Sequence, residues 1–215
     1  MNFVNVSNRI RNLHLPVRLP LPRMTAMSSI SQAAADSSRS DERYTTVAIA
    51  IHWLAAVLIV VALIIGMSMV DLPVSPSRLK LYSYHKWIGI TILVLSAVRL
   101  GWRLSHRPPP NTDAVAWRRA AAHLTHGALF LLFFAIPLVG WALTSASGFP
   151  VVVFGVLPLP DLVPVDKALA ALLKPWHQGL SFMLGGLVVV HVLAAVTHRF
   201  IAGHPVLQRM GLRFR

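Results

Sequence analysis

Four long runs of apolar residues constrain this chain more than any other feature of its sequence. They cover residues 47–70, 84–102, 123–144 and 177–200, and none of them contains Asp or Glu. A helix that crosses a bilayer needs about 20 mainly apolar residues. Because lipid offers the backbone no hydrogen bonds, the runs predict an all-α integral membrane protein, a four-transmembrane-helix bundle. A fifth apolar stretch, 149–165, holds four prolines and is predicted to be a loop at the membrane surface.

The basic residues predict how the helices are oriented. The chain has a net charge of +13, although only 13% of its residues are charged. A nucleic-acid partner is not expected, because the basic residues flank apolar runs and are not interleaved with aromatics on one soluble domain. Thirteen of the 20 basic residues precede the first run, lie between the second and third or follow the fourth, and Arg99 and Arg199 near the ends of the second and fourth runs bring this side to 15. The positive-inside rule therefore predicts that both termini are cytoplasmic. The length of the apolar runs predicts that their outer surface contacts membrane lipid.

Residues 1–43 differ in composition from the rest of the chain. They are rich in Ser, Arg and Pro and contain no apolar core of the length found in a signal peptide. We predict a flexible N-terminal tail over 1–43, with translation initiation at Met24 or Met27 as the alternative explanation. Residues 44–215 form the second predicted unit, which contains the four apolar runs.

Histidine is the residue type that can carry redox chemistry in this chain. There are ten histidines and no cysteine, which excludes disulfides, iron–sulfur clusters, covalent CxxCH haem attachment and thiolate zinc sites. A histidine inside a membrane span is costly and usually functional. His52, His126 and His191 lie within apolar sequence, whereas His85 and His177 are predicted near the beginnings of helices, as is His123.

Spacing on the fourth helix predicts two binding sites at two depths. His177 and His191 are 14 residues apart, which places them on nearly the same helix face and roughly 21 Å apart along the axis. The predicted helix directions put His52 at the depth of His191 and His85 at the depth of His177. Each pair could share one haem iron, and bis-histidine ligation favours electron transfer over oxygen binding. His123 or His126 could replace His52 as a ligand.

Arg99 lies on the same predicted inner face. It follows His85 by 14 residues, at the depth of the cytoplasmic haem. A buried arginine there needs an anion, and a haem propionate would supply one. The alternative is a snorkelling arginine at the helix end.

Several short runs surround these histidines: Ala50-Ile51-His52-Trp53-Leu54, His85-Lys86-Trp87-Ile88-Gly89-Ile90, Val98-Arg99-Leu100, Ala122-His123-Leu124-Thr125-His126, Trp176-His177 and Val190-His191-Val192-Leu193-Ala194-Ala195. Taken in order over residues 43–215, they resemble the bacterial cytochrome b561 family. The resemblance implies that residues 44–215 form a four-helix di-haem cytochrome b domain of the bacterial inner membrane, with iron ligands at His52, His85, His177 and His191. It also implies ubiquinone as electron acceptor and superoxide as periplasmic donor.

Two further histidines are candidates for the quinone site. His126, with His123 on the same helix face, is expected to line a quinone pocket or to bond propionates. His198 follows His191 by seven residues on the same stripe. The resemblance places His198 beside the quinone as a hydrogen-bond donor to a carbonyl, and an ordinary interfacial histidine is the alternative. Where members of that family often carry lysine, this chain has Pro108-Pro109-Pro110-Asn111.

Three classes of function are compatible with this pattern to different degrees. The first is an oxidoreductase that passes electrons from superoxide to ubiquinone. The second is a cytochrome b subunit that anchors a dehydrogenase or hydrogenase, whose identity the sequence does not reveal. The third is a haem-free metal transporter, which is disfavoured because such proteins place carboxylates near the middle of the membrane and these spans have none.

Overall fold

Four long helices make up most of the chain. The computed structural model describes residues 44–106, 115–200 and 206–211. The helices are α1 (Thr46–Val70), α2 (Pro76–Ser105), α3 (Ala116–Ala146) and α4 (Lys167–Phe200), followed by a single turn, α5 (Val206–Arg209). All four long helices are long and apolar enough to cross a membrane. The prediction of four spanning helices is therefore confirmed, whereas the predicted tail over 1–43 lies outside the described residues.

Three helices begin seven to ten residues earlier than their apolar runs. Ser75 caps α2 by accepting a hydrogen bond from the Arg78 backbone N–H at 3.3 Å, with Pro76 in the first turn. The Asp166 carboxylate accepts from the backbone of Ala168 at 2.8 Å in the first turn of α4. The expectation that His85, His123 and His177 lie near helix beginnings is therefore wrong: each follows about two or more turns of helix. The length of the apolar run matches the thickness of the membrane, whereas the helix also includes polar turns that precede the run.

The proline-rich stretch between α3 and α4 contains a short hairpin. Strands β1 (Val152–Val153) and β2 (Leu157–Pro158) pair antiparallel, with Val152 opposite Pro158 and Val153 opposite Leu157. Phe154 and Gly155 turn the chain with φ of 52° and 74°. The rest of this stretch is irregular, as the prolines predict.

Tryptophan side chains fasten the helix ends to neighbouring segments. Each of four indole N–H groups donates to an oxygen distant in sequence, which satisfies the polar edge of an otherwise apolar ring. The bonds are Trp87 to the Val152 carbonyl at 2.6 Å, Trp141 to the Pro160 carbonyl at 3.1 Å, Trp53 to the Met210 carbonyl at 3.0 Å and Trp102 to the Thr45 hydroxyl at 2.9 Å.

The buried core is a thin layer at the middle of the helices. It consists of Ile59, Ile92, Leu129, Leu132, Phe133 and Leu184. Ile59 follows His52 by seven residues, and Leu184 lies seven residues from both His177 and His191. At 1.5 Å per residue the core is therefore about 10 Å from each histidine depth. Most large apolar side chains elsewhere point outward, among them Leu131 at 70% exposure, as lipid-facing residues do.

Candidate functional site

One pair of histidines lies between the second turn of α1 and the last turns of α4. The imidazole rings of His52 and His191 have centroids 6.4 Å apart, with their planes at 71°. We call this pair the His52–His191 layer. The Nδ1 atom of His52 is buried and has no hydrogen-bond partner among the described residues. A buried polar nitrogen without a partner is unusual and indicates that the imidazole serves a purpose other than packing.

A second pair lies between α2 and α4, and we call it the His85–His177 layer. Its ring centroids are 6.1 Å apart, with the planes at 87°. The Nδ1 atom of His85 bonds the Ala62 carbonyl and that of His177 bonds the Ile136 carbonyl, each at 3.1 Å. A carbonyl can only accept, so both Nδ1 atoms carry the proton. Each Nε2 atom is left with a free lone pair, which is the form in which histidine binds a metal.

Glycines lie directly against both rings of the His85–His177 layer. A Cβ placed on Gly66 would lie 3.0 Å from Cε1 of His85, and one on Gly140 would lie 2.8 Å from Cε1 of His177. The contact at Gly140 is shorter than real Cβ atoms make, and the contact at Gly66 is at that limit. Each imidazole therefore lies in space that the absent side chain of a glycine leaves open, and a larger residue there would require the ring to shift.

Both layers recur at the same interval on every long helix. Each helix carries two residues 14 positions apart, which lie on one face and about 21 Å apart along the axis. In each pair, one residue belongs to or lies beside the His52–His191 layer, and the other belongs to or lies beside the His85–His177 layer. The pairs are His52 and Gly66 on α1, His85 and Arg99 on α2, His126 and Gly140 on α3, and His177 and His191 on α4.

The ring separations fit a metal held between two imidazoles. A metal–imidazole nitrogen distance of about 2 Å, on both sides, places the two ring centroids about 6 Å apart. In the described part of the chain, no three His, Cys, Asp or Glu side chains are grouped so that they could hold a bare metal ion. A pair of facing imidazoles in each layer therefore suits a group that brings further ligands of its own, as haem does.

Comparison with known proteins agrees with this chemistry. Residues 43–212 match the family described as prokaryotic cytochrome b561. The chain belongs to the prokaryotic cytochrome b561 family. It is thus a membrane cytochrome, and membership implies haem, so the alternative of a haem-free transporter does not hold. The resemblance seen in the sequence is confirmed, as is the location in a prokaryotic membrane.

Two curated relatives of the cytochrome cover most of its length. The protein named cytochrome b561 homolog 2 of Escherichia coli (strain K12) is 33% identical over 175 residues, 80% of this chain and 93% of the relative. The probable superoxide oxidase CybB of Yersinia pestis is 30% identical over 177 residues, 79% of this chain and 96% of the relative.

Arg99 lies beside the His52–His191 layer of the cytochrome. Its guanidinium carbon is 5.3 Å from the centroid of the Phe130 ring, and that of Arg103 is 5.8 Å from the same ring. Arg99 is also within electrostatic range of His52 and His191. The carboxylates among the described residues are Asp71, Asp161 and Asp166, which all lie beyond the other ends of the helices. Two cations therefore face this layer without a carboxylate from the described chain beside them.

His126 is the third imidazole at this depth. Its ring centroid is 5.4 Å from that of His191. It also borders a cavity of about 510 Å³ that opens on the surface between α2 and α3. His123 and Arg103 supply the remaining polar groups of the cavity, which is lined otherwise by Leu100, Gly127, Phe130, Leu131 and Phe134.

The structure does not describe every residue that the sequence singles out. The side chain of His198 and the prolines at 108–110 with Asn111 lie outside the described residues. Gly185 lies between His177 and His191 on α4, and a Cβ added there would lie 3.9 Å from the Leu63 side chain. Sequence reasoning missed Gly66 and Gly140. Their signal was present in the 14-residue interval from His52 and His126.

Proposed function

We propose that this cytochrome holds two haem b groups and transfers electrons across the bacterial inner membrane from superoxide to ubiquinone. His52 and His191 would bind one iron, and His85 and His177 the other. The observation that supports this most strongly is the pair of ring separations, 6.4 Å and 6.1 Å, at two depths of one bundle. When bound, the haem groups supply one-electron carriers at both depths.

Orientation follows from charge. The basic excess before α1, between α2 and α3 and after α4 favours a cytoplasmic position for the His52–His191 layer. The His85–His177 layer would then face the periplasm. A reporter that is active only in the periplasm should give no signal when it is fused to the C-terminus, and a strong signal would reverse this assignment.

The cavity beside His126 is the proposed quinone site. Its volume is within the range of small-molecule sites, which is about 300–1,000 Å³. Its walls are mainly apolar, as a quinone ring requires, and His123, His126 and Arg103 offer hydrogen bonds to the ring oxygens. His198 remains a candidate donor to the same quinone. Because the exposed Leu131 lines the cavity, a lipid-soluble substrate could enter from the membrane.

Electron balance links the two sides. Two superoxide anions give up one electron each and become two molecules of dioxygen, while ubiquinone gains two electrons and two protons to become ubiquinol. On the proposed donor side Lys86 is held by the Pro150 carbonyl at 3.1 Å, next to the hairpin. This placement fixes one positive charge close to the His85–His177 layer, where it would attract a small anion.

Arg99 is the proposed partner of a haem propionate in the His52–His191 layer. The Arg99 guanidinium lies over the Phe130 ring and has no carboxylate of the described chain beside it. An anion that is part of the cofactor would therefore give it a strong charge-assisted hydrogen bond. Arg99 would then fix the position of the haem and add a positive charge beside that layer.

A second function has one observation in its favour. The hairpin on the proposed periplasmic side exposes large apolar side chains, including Phe154 at 65% and Val156 at 83%. Such a surface suits a partner dehydrogenase or hydrogenase that the cytochrome would anchor. Co-purification of a large soluble subunit from native membranes would support this alternative.

The deciding experiment mixes the purified cytochrome with a superoxide-generating system and ubiquinone. Haem reduction followed by formation of ubiquinol, both abolished by superoxide dismutase, supports the proposal. Haem that stays oxidised under superoxide, yet is reduced by a co-purified subunit, would favour the anchoring function.

A further inference from the structure

The two histidines of the His85–His177 layer are held in the same unusual way. Each Nδ1–H donates to a helix carbonyl at 3.1 Å, and each ring edge faces a glycine four residues further along that same helix. Ala62 and Gly66 form the set on α1, and Ile136 and Gly140 form the set on α3. The arrangement thus occurs twice, between different helix pairs.

Helix geometry explains why glycine is needed at these positions. In an α-helix the carbonyl of residue i already accepts from the N–H of residue i+4, and its second lone pair is free. The Cβ of residue i+4 tilts back toward the N-terminus and covers the approach to that carbonyl. The separations of 3.0 Å at Gly66 and 2.8 Å at Gly140 show that a methyl group would compete for the space that the imidazole occupies.

His52 in the other layer is not held in this way. No hydrogen-bond partner meets the buried Nδ1 of His52 among the described residues, and Arg99 stands within electrostatic range. A backbone carbonyl that accepts from Nδ1–H makes the imidazole a more basic ligand, which stabilises oxidised iron. A nearby cation has the opposite effect, because it stabilises the reduced and less positive state.

We infer that Gly66 and Gly140 are positioning residues: by exposing the carbonyls of Ala62 and Ile136 they fix the tautomer and orientation of His85 and His177, and they lower the reduction potential of the haem in that layer below that of the other. This inference rests on the proposed binding of two haems. The resulting order of potentials favours electron movement from the His85–His177 layer toward the His52–His191 layer, the direction that the proposed function requires.

Redox titration of the purified full-length protein, followed by visible spectroscopy, tests the inference. The variants are Gly66→Ala and Gly140→Ala, and the control is Gly101→Ala, because an added Cβ at Gly101 meets nothing within 4 Å. Of the two midpoints, only the lower should move, and it should move upward. Weakening one hydrogen bond should change the redox equilibrium about five- to tenfold, and tenfold corresponds to about 59 mV for one electron. The shift should be larger for Gly140→Ala, whose Cβ would lie closer to the ring.

Haem content and electron paramagnetic resonance of the oxidised protein separate positioning from general packing. Altered g-values or selective loss of the lower-potential haem would support the inference. Two retained haems with unchanged midpoints would overturn it, and so would equal loss of both haems in both glycine variants while Gly101→Ala keeps them. A wild-type protein with fewer than two haems would refute the proposed function instead.

Discussion

Replacing His52 and His126 separately decides which imidazole completes the His52–His191 layer. Both rings lie close to His191, with centroids 6.4 Å and 5.4 Å away. Two imidazoles that would hold one iron between them should have ring centroids about 6 Å apart. The separation of 6.1 Å in the other layer matches this value, and 6.4 Å lies nearer to it than 5.4 Å does. We therefore expect His52→Ala to remove this haem and His126→Ala to spare it.

The size of the expected change follows from the depth of the layers. His177 and His191 are separated by about 21 Å along α4, and sites more than about 10 Å apart usually respond independently. His52→Ala should therefore lose about one haem of two, and about half of the haem absorbance, without changing the midpoint of the other haem. His177→Ala should lose the other haem, and the double variant should lose both.

The assay is haem content per purified polypeptide, with the midpoint of whatever haem remains. Because His126 stands beside the same ring, the variant His52→Ala/His126→Ala is included to detect replacement of one ligand by the other. Full haem content in His52→Ala, together with loss in His126→Ala, would refute the assignment. Loss of both haems in each single variant would refute the independence of the layers.

Three further predictions follow from other parts of the structure. Lys86→Glu combined with Arg78→Glu should slow haem reduction by superoxide about tenfold or more. Reduction should also slow as salt rises, because exposed charges are screened beyond about 8 Å at physiological salt. A rate that neither change affects would exclude electrostatic steering of superoxide. Arg99→Gln should lower the midpoint of the His52–His191 haem while Arg99→Lys preserves it, and identical midpoints in redox titration would contradict a role for the charge. Leu132→Ala, in the core at 2% exposure, should lower the free energy of unfolding by about 2–5 kcal/mol, whereas Leu131→Ala, at 70% exposure, should change it little. Equal losses of thermal stability in the two variants would argue against the described core.

Helices and histidine depths were accessible from sequence because both depend on simple periodicities. An apolar run of fixed length marks a span whatever the neighbouring helices do. The interval between His177 and His191 likewise follows from helix geometry alone. The structure brings His52 to His191 and His85 to His177, as the predicted helix directions require.

Helix ends and packing partners were not accessible in the same way. The beginnings of α2 and α4 depend on the caps at Ser75 and Asp166, which lie outside any apolar run. The 14-residue interval from His52 marks the position of Gly66, but the interval does not reveal that α2 packs there and brings His85 against it. The meeting of Arg99, Arg103 and Phe130 likewise joins two helices and needs their relative rotation.

Haem stoichiometry and ligation in the purified wild-type protein test the central claim most directly. The measurement combines haem b per polypeptide, determined by the pyridine haemochrome spectrum, with electron paramagnetic resonance of the oxidised protein. The two ring pairs at 6.4 Å and 6.1 Å predict two haems per chain, both low-spin with two histidine ligands. A single haem, a high-spin signal from either site, or no haem at all would contradict the claim that each layer holds an iron between its histidines.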